Sequence, residues 1–225
     1  EFKDFEALKI KGSLNSDFNL VKEDLNNLFK GKFLQNLQNL KLTGKSQNLF
    51  KINFDKTLKI IDYQIKSSGN LKKTTIELRD PKNYFFIKNK IKNLSLEKTA
   101  IELNLKKDEK KTLEVTGSYK INENLFQKFN LKYLFGFNLQ QIYFSGDFDN
   151  EIDIPLLNFN TKNKKININT NINFNKNTTN IKKFVLKDEK TKIDIDGLVL
   201  KKNKLSKYNL ITVKTFKNNK LNNDF

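Results

Sequence analysis

The stretch LEVTGSYKI, residues 113–121, alternates in polarity at every step. Leu113, Val115, Tyr119 and Ile121 share one parity, and Glu114, Thr116, Ser118 and Lys120 share the other. A β-strand turns successive side chains to opposite faces, so this is one strand with an apolar and a polar side. Gly117 stands in the middle of the apolar row. Glycine weakens a strand interior unless it serves a bend, a bulge or a close approach, so its place there needs a reason.

The arrangement recurs. Apolar-x-apolar-x-Gly-x-apolar is found at Leu8-Ile10-Gly12-Leu14, Ile142-Phe144-Gly146-Phe148 and Ile193-Ile195-Gly197-Val199, and Leu40-Leu42-Gly44 matches as far as Ser46. Five of the eight glycines share this position, and in four cases the alternation resumes beyond them, so they are not turn residues. Where a long strand bends sharply, a side chain on the concave face would strike its neighbours, and glycine removes the clash. Gly12, Gly44, Gly117, Gly146 and Gly197 are therefore expected to mark strand bends. Many such strands side by side would make an open groove, apolar within and rich in Lys, Asn and Thr outside. By parity its lining is Leu8, Ile10, Leu40, Leu42, Leu113, Val115, Tyr119, Ile142, Phe144, Phe148, Ile193, Ile195 and Val199. Ile166, Ile168, Ile172 and Phe174 join them, set against Asn167, Asn169, Asn171 and Asn173 in KININTNINFN, residues 165–175. A filled sandwich or barrel also buries one face of each strand and also uses glycine kinks, so the alternation leaves that arrangement open.

Alternation of the same kind runs through most of the chain, including residues 5–14, 39–45, 49–55, 58–68, 99–106, 138–148, 151–160, 179–188, 192–200 and 208–216. Short polar links such as KKDEKK, 106–111, and NKNTTN, 175–180, suit hairpins. Short links permit antiparallel neighbours and not crossovers, so the fold class is all-β, a long curved antiparallel sheet of roughly 13–15 strands. Two stretches carry helical spacing. Residues 19–31 have Asn19 as a cap, Val21, Leu25, Leu28 and Phe29 on one face, and Gly31 as a stop. Residues 122–136 place Leu125, Phe126, Phe129 and Tyr133 at helical spacing, although Phe129, Leu131, Tyr133 and Phe135 also alternate as a strand. Pro155 interrupts a strand pattern and predicts a bend or an edge. No linker divides residues 1–225, so they read as one segment; with no Met at all, they read as an internal piece of a longer protein.

Composition narrows the chemistry. The chain lacks Cys, His and Trp. Without Cys there is no disulfide or thiol chemistry, and without His the common zinc sites, the usual general base and the Ser-His-Asp arrangement are gone. The net charge is +18, yet Arg79 is the sole arginine. Arginine is the preferred reader of phosphate forks and guanine edges, so the charge reads as a solvated lysine face and not a nucleic-acid groove. Attraction to an anionic lipid surface stays open. No apolar run reaches the length of a membrane helix. Asp147, Asp149, Glu151 and Asp153 lie at spacing two, but they fail the EF-hand pattern and read as a solvated face, as do Asp194 and Asp196. No catalytic residue, metal site or cofactor is expected.

The alternating polar-lysine strands, the L-x-L-x-G-x-L recurrences, the short amphipathic helices and the lack of a catalytic motif resemble the AsmA-like, TamB and YhdP group of bacterial envelope proteins. The resemblance covers Phe5 to Lys214 as texture. It implies a long β-groove with an apolar lumen, fixed in the inner membrane by a helix outside this chain, crossing the periplasm and passing phospholipid towards the outer membrane without catalysis. The alternative reading is a structural or adhesive β-domain of a cell-surface protein whose interior is filled by its own side chains.

Overall fold

In the computed structural model, residues 8–24, 36–84, 87–136, 138–161, 165–202, 204–217 and 220–225 are described. The strands are β1 Lys9–Val21, β2 Leu37–Phe54, β3 Ile60–Tyr84, β4 Ile87–Lys106, β5 Lys111–Ile121, β6 Gln127–Phe135 and β7 Gln140–Phe148. They continue as β8 Asp153–Ile154, β9 Phe159–Asn160, β10 Ile166–Phe174, β11 Thr178–Lys187, β12 Lys192–Lys201, β13 Lys204–Lys207, β14 Leu210–Lys217 and β15 Lys220–Asp224. Thirteen of them form one antiparallel sheet in near-sequential order, β1 to β7, then β10, β11, β12, β14 and β15, with β13 paired to β12. Most links are short and polar, which favours a meander; the exceptions are residues 22–36 between β1 and β2 and residues 149–165, which carry β8 and β9 between β7 and β10. Side-chain turns close several hairpins. Asp55 Oδ1 accepts from Thr57 N and Lys59 N, Asn175 Oδ1 from Asn177 N and Thr178 N, and Asp188 Oδ1 from Lys190 N and Thr191 N.

The first four strands are longer than the alternating stretches alone indicate. Residues 39–45 and 49–54 belong to one strand of 18 residues, and β3 runs for 25. The ladders persist through local register shifts, at Thr43/Gly44 between β2 and β3 and at Glu97/Ala100 between β4 and β5.

Residues 122–136 are not a helix. Asn122 takes φ 53° and turns the chain; its Oδ1 accepts from Lys92 N and Asn93 N of β4. Residues 127–135 are then β6, paired on both sides, with β5 and with β7. Two ladders outweigh a helical spacing. Residues 19–21 likewise extend β1, and helical backbone begins only at 22–24. Val21 N donates to Asp24 Oδ2 at 2.9 Å, so the cap is the carboxylate three residues inside the helix and not Asn19. Residues 25–31, with Leu25, Leu28, Phe29 and Gly31, lie outside the described residues.

Pro155 does break its strand. It opens a 3-10 turn, Pro155–Leu157, between β8 and β9, which pair only with each other. This small hairpin crosses the apolar side of the sheet. Ile152 bridges to Ile87 of β4, and Lys88 N donates to Glu151 O. At its other end Asn222 and Asn223 of β15 donate to Leu157 O at 2.9 and 2.6 Å. A flat sheet would separate β4 from β15 by eight strand spacings, about 38 Å. The hairpin and its contacts span roughly 25 Å at most. The sheet is therefore curled about its apolar face at this end, and the hairpin fills the curl. The main buried cluster sits there: Tyr119, Ile121, Phe148, Ile152, Phe159, Ile166, Leu186, Ile193 and Val213. A second, smaller cluster holds Leu37 and Leu40.

Candidate functional site

Residues directly opposite in a ladder share a face, so the registers trace the apolar surface strand by strand. One row crosses the sheet as Val115, Leu131, Phe144, Thr170, Phe184, Ile195 and Ile211. The next runs Leu113, Tyr133, Ile142, Ile172, Ile181 and Leu198. A third runs Gly117, Phe129, Gly146, Ile168, Leu186, Ile193 and Val213. On the long strands Leu40 and Leu42 share the face of Ile121 and Tyr119 through Ile76, Leu94, Thr74 and Leu96. Ile10 faces Ile52 at the β1 edge, and Leu8 accepts from Phe54 N beside it.

The lining residues read from parity thus fall on one surface, with one correction. Val199 pairs with Asn180, whose other neighbour is Asn173, so it lies on the polar side. The cause is an irregularity at Lys182 and Gly197. The register of β10 with β11 slips beyond Asn171, and Gly197 has φ 65°. One extra residue moves everything beyond it to the other face. Leu198 and Leu200, opposite Ile181 and Thr179, take the apolar side instead.

This surface is occupied unevenly. At the curled end Ile166 is 1% exposed and Ile193 5%, and the hairpin lies on them. Tyr119 stacks edge-on against Phe129 at 5.5 Å and donates from its hydroxyl to Asp147 O at 2.7 Å. Burial pushes its phenol well up, so it stays neutral and serves as a hydrogen-bond donor. Away from that end Leu113, Val115, Leu131, Tyr133, Ile142, Phe144, Ile172 and Phe174 are only half-buried. Over β1 to β3 the apolar surface is interrupted by a polar island. Asn48 Nδ2 donates to Ser46 Oγ at 3.2 Å and Ser67 Oγ donates to Asn48 Oδ1 at 2.5 Å.

The repeated glycines have a common neighbour. Phe50 is opposite Gly12, Phe18 is opposite Gly44, and Phe129 is opposite both Gly117 and Gly146. A Cβ at Gly12 would strike the Phe50 ring, one at Gly44 would lie 2.9 Å from Phe18 Cζ, and one at Gly146 3.2 Å from Phe129 Cβ. At Gly117 the obstruction is Thr99, whose Cα would be 2.8 Å away. The missing side chain makes room for a close approach by the next strand. Gly197 differs, because its positive φ is one that residues with a side chain rarely adopt.

The polar face carries the charges. Asp147 pairs with Lys165 at 2.9 Å, and the hydrogen bond from that ammonium holds its carboxyl below the usual range. Asp149 accepts from Leu125 N and Gln127 Nε2, and Glu151 pairs with Lys88 at 3.0 Å. The acidic run is thus divided among separate partners and does not converge. Burial would raise the Asp194 carboxyl, but Lys183 at 2.7 Å and Lys192 at 2.8 Å outweigh it and hold it low. A depression of about 690 Å³ opens among Asn15, Asp17, Lys45, Gln47, Asn70 and Glu102, with Ala100 and Ile101 also in its wall.

The sequence reading missed Phe129, Leu131 and Tyr133 as lining because their helical spacing competed with their alternation. It missed Phe184, Leu186, Ile181 and Leu198 because the apolar period in residues 179–200 changes phase at the irregularity. In comparisons with known proteins, the chain matches no family model, no curated protein and no solved structure.

Proposed function

We propose that this chain is a segment of a lipid conduit that works without catalysis, its curled sheet offering an apolar path to phospholipid acyl chains. What carries the reading is the apolar face that crosses the sheet from β4 to β12, overlaid among the described residues by the hairpin of β8 and β9 where Ile166 and Ile193 are buried. A half-exposed surface of this size costs free energy in water unless something apolar visits it. A groove with polar Lys and Asn outside and half-buried Leu, Ile and Phe inside holds hydrocarbon while its head groups stay wet. The envelope-protein resemblance extends the proposal to a periplasmic location, with anchorage in the inner membrane through a segment outside this chain.

The competing reading, a structural domain with a filled interior, draws on the tightly buried cluster around Ile152, Phe159 and Ile166. Substitution separates the two. Phe144→Asp and Ile142→Asp stand in the half-open rows, and Ile166→Asp stands in the solid end. For the conduit, the first two give folded, normally abundant full-length protein that no longer co-purifies with lipid, while Ile166→Asp fails to fold. If all three unfold the protein, the interior is packed throughout. If Phe144→Asp and Ile142→Asp fold and lipid capture is unchanged, these rows do not line a lipid path.

A further inference from the structure

We propose that the polar face of the sheet, the side turned away from the apolar lining, is a binding strip for a neutral, hydroxyl-rich glycan chain. The strip follows one unbroken row of directly opposed residues. From β1 to β4 the row reads Asn15, Gln47, Ser68 and Glu102. It continues from β5 to β11 as Glu114, Lys132, Tyr143, Asn171 and Lys183. The same residues line three adjoining depressions of about 690, 400 and 420 Å³. The first and second share Gln47, Ser68 and Glu102, and the second and third share Glu114, so the depressions succeed one another across the strands. Eight strand spacings give the strip a length of about 38 Å along the sheet, which suits a linear polymer better than a compact small molecule.

Charge selects the kind of polymer. Four lysines and three carboxylates line the depressions, a net of +1 in a chain of +18. Lys45 pairs with Asp17 at 3.1 Å, Lys132 with Glu114 at 2.6 Å and Lys183 with Asp194 at 2.7 Å. In the middle of the strip Glu102 lies directly opposite Glu114, and like charges so placed cost a sheet stability. A polyanion needs free cations and would meet these two carboxylates instead. Sugar hydroxyls suit them, because O–H donors bond most strongly to ionised acceptors. The neutral groups have the matching chemistry. The side-chain amides of Asn15, Gln47, Asn70 and Asn130 have no partner among the described residues, so each offers both donors and an acceptor. Tyr143 is 37% exposed and gives the strip a flat aromatic surface for the C–H face of a sugar ring. Gln141 Nε2 donates to Tyr143 Oη at 2.5 Å and to Asn171 Oδ1 at 3.1 Å. That bridge holds the phenol and the amide in place and leaves the Tyr143 O–H and the Asn171 N–H groups to donate to a ligand.

The strip and the proposed lipid path are on opposite faces, so the two readings stand or fall separately. The test is isothermal titration calorimetry of the full-length protein with chitohexaose, cellohexaose and maltohexaose, and with heparin as a polyanion; it does not depend on lipid capture. At least one neutral hexasaccharide is expected to bind, with an affinity unchanged between about 50 and 200 mM salt because no counterions are released. Tyr143→Ala should weaken that binding about tenfold, the loss of one aromatic contact, while Tyr143→Phe keeps most of it. Glu102→Lys should weaken it as well. Circular dichroism on each variant confirms that the sheet is intact before the titration is read. No binding by any of the three hexasaccharides, a heparin affinity that falls with Tyr143→Ala in their place, or hexasaccharide binding that survives both Tyr143→Ala and Glu102→Lys overturns the proposal.

Discussion

At Gly117 the space for a side chain is already taken. A Cβ there would lie 2.5 Å from Thr99 Oγ1 and 2.8 Å from Thr99 Cα, and a backbone atom of a paired strand cannot step aside. Gly117→Val is expected to cost about 1–3 kcal/mol through overpacking. Thr116→Val, one residue along and exposed on the polar face, should stay within about 0.5 kcal/mol. Urea midpoints of the two variants check this; equal midpoints would remove the packing explanation. Charge acts at the same scale. Asp147 and Asp194 have carboxyls lowered in the folded state by lysine hydrogen bonds. A group with a lowered folded pKa stabilises above its unfolded pKa, here near 3.8, and loses that stabilisation as the pH falls through the folded value. Urea midpoints should therefore drop between pH 6 and pH 3, and Asp194→Asn should make that drop smaller.

Among the elements, the hairpin of β8 and β9 has the most influence for its size. It has two ladder pairs of its own, yet Phe159 is 2% exposed and Ile152 1%, and it holds β4 and β15 on one core. Phe159→Ala should cost about 3–5 kcal/mol, from lost burial and the cavity left behind. Lys88→Ala removes only a partly exposed ion pair with Glu151 and should cost less than about 1 kcal/mol. Hydrogen exchange would separate the roles. Phe159→Ala should speed exchange at β4 and β14 together, because the same hairpin braces both, while exchange in β2 should change little. Uniform loss of protection across β1 to β15 would mean that the sheet unfolds as one unit and the hairpin has no local bracing role.

As a whole molecule, the sheet places twelve strands side by side in its main path, about 55 Å at a strand spacing near 4.8 Å. Its longest strand, of 25 residues, reaches about 80 Å if straight. A globule of 225 residues would have a radius of gyration near 17 Å. Small-angle scattering should give a clearly larger value, and a value near 17 Å would mean that the long strands β1 to β4 fold back into a compact body.

The local alternation of LEVTGSYKI and its repeats was enough to establish strands, their two faces, a meander order and an all-β open sheet, because side-chain direction in a strand depends only on residue parity. It also placed the inward glycines, although the Phe opposite four of them is a matter of pairing that no single strand reveals. Three features came only with the tertiary structure. Residues 122–136 became a strand because β5 and β7 offered ladders on both sides. Val199 moved to the polar face because the slip at Lys182 and Gly197 is agreed between neighbouring strands, and Leu198, Val199 and Leu200 are apolar at both parities, so polarity alone does not choose between them. The curl, finally, is fixed by Ile152 meeting Ile87 and by Leu157 meeting Asn223, contacts 65 and 66 residues apart in sequence. Periodicity is a property of neighbours in the chain, and the closing of a sheet upon a plug is a property of residues that meet only when it has folded.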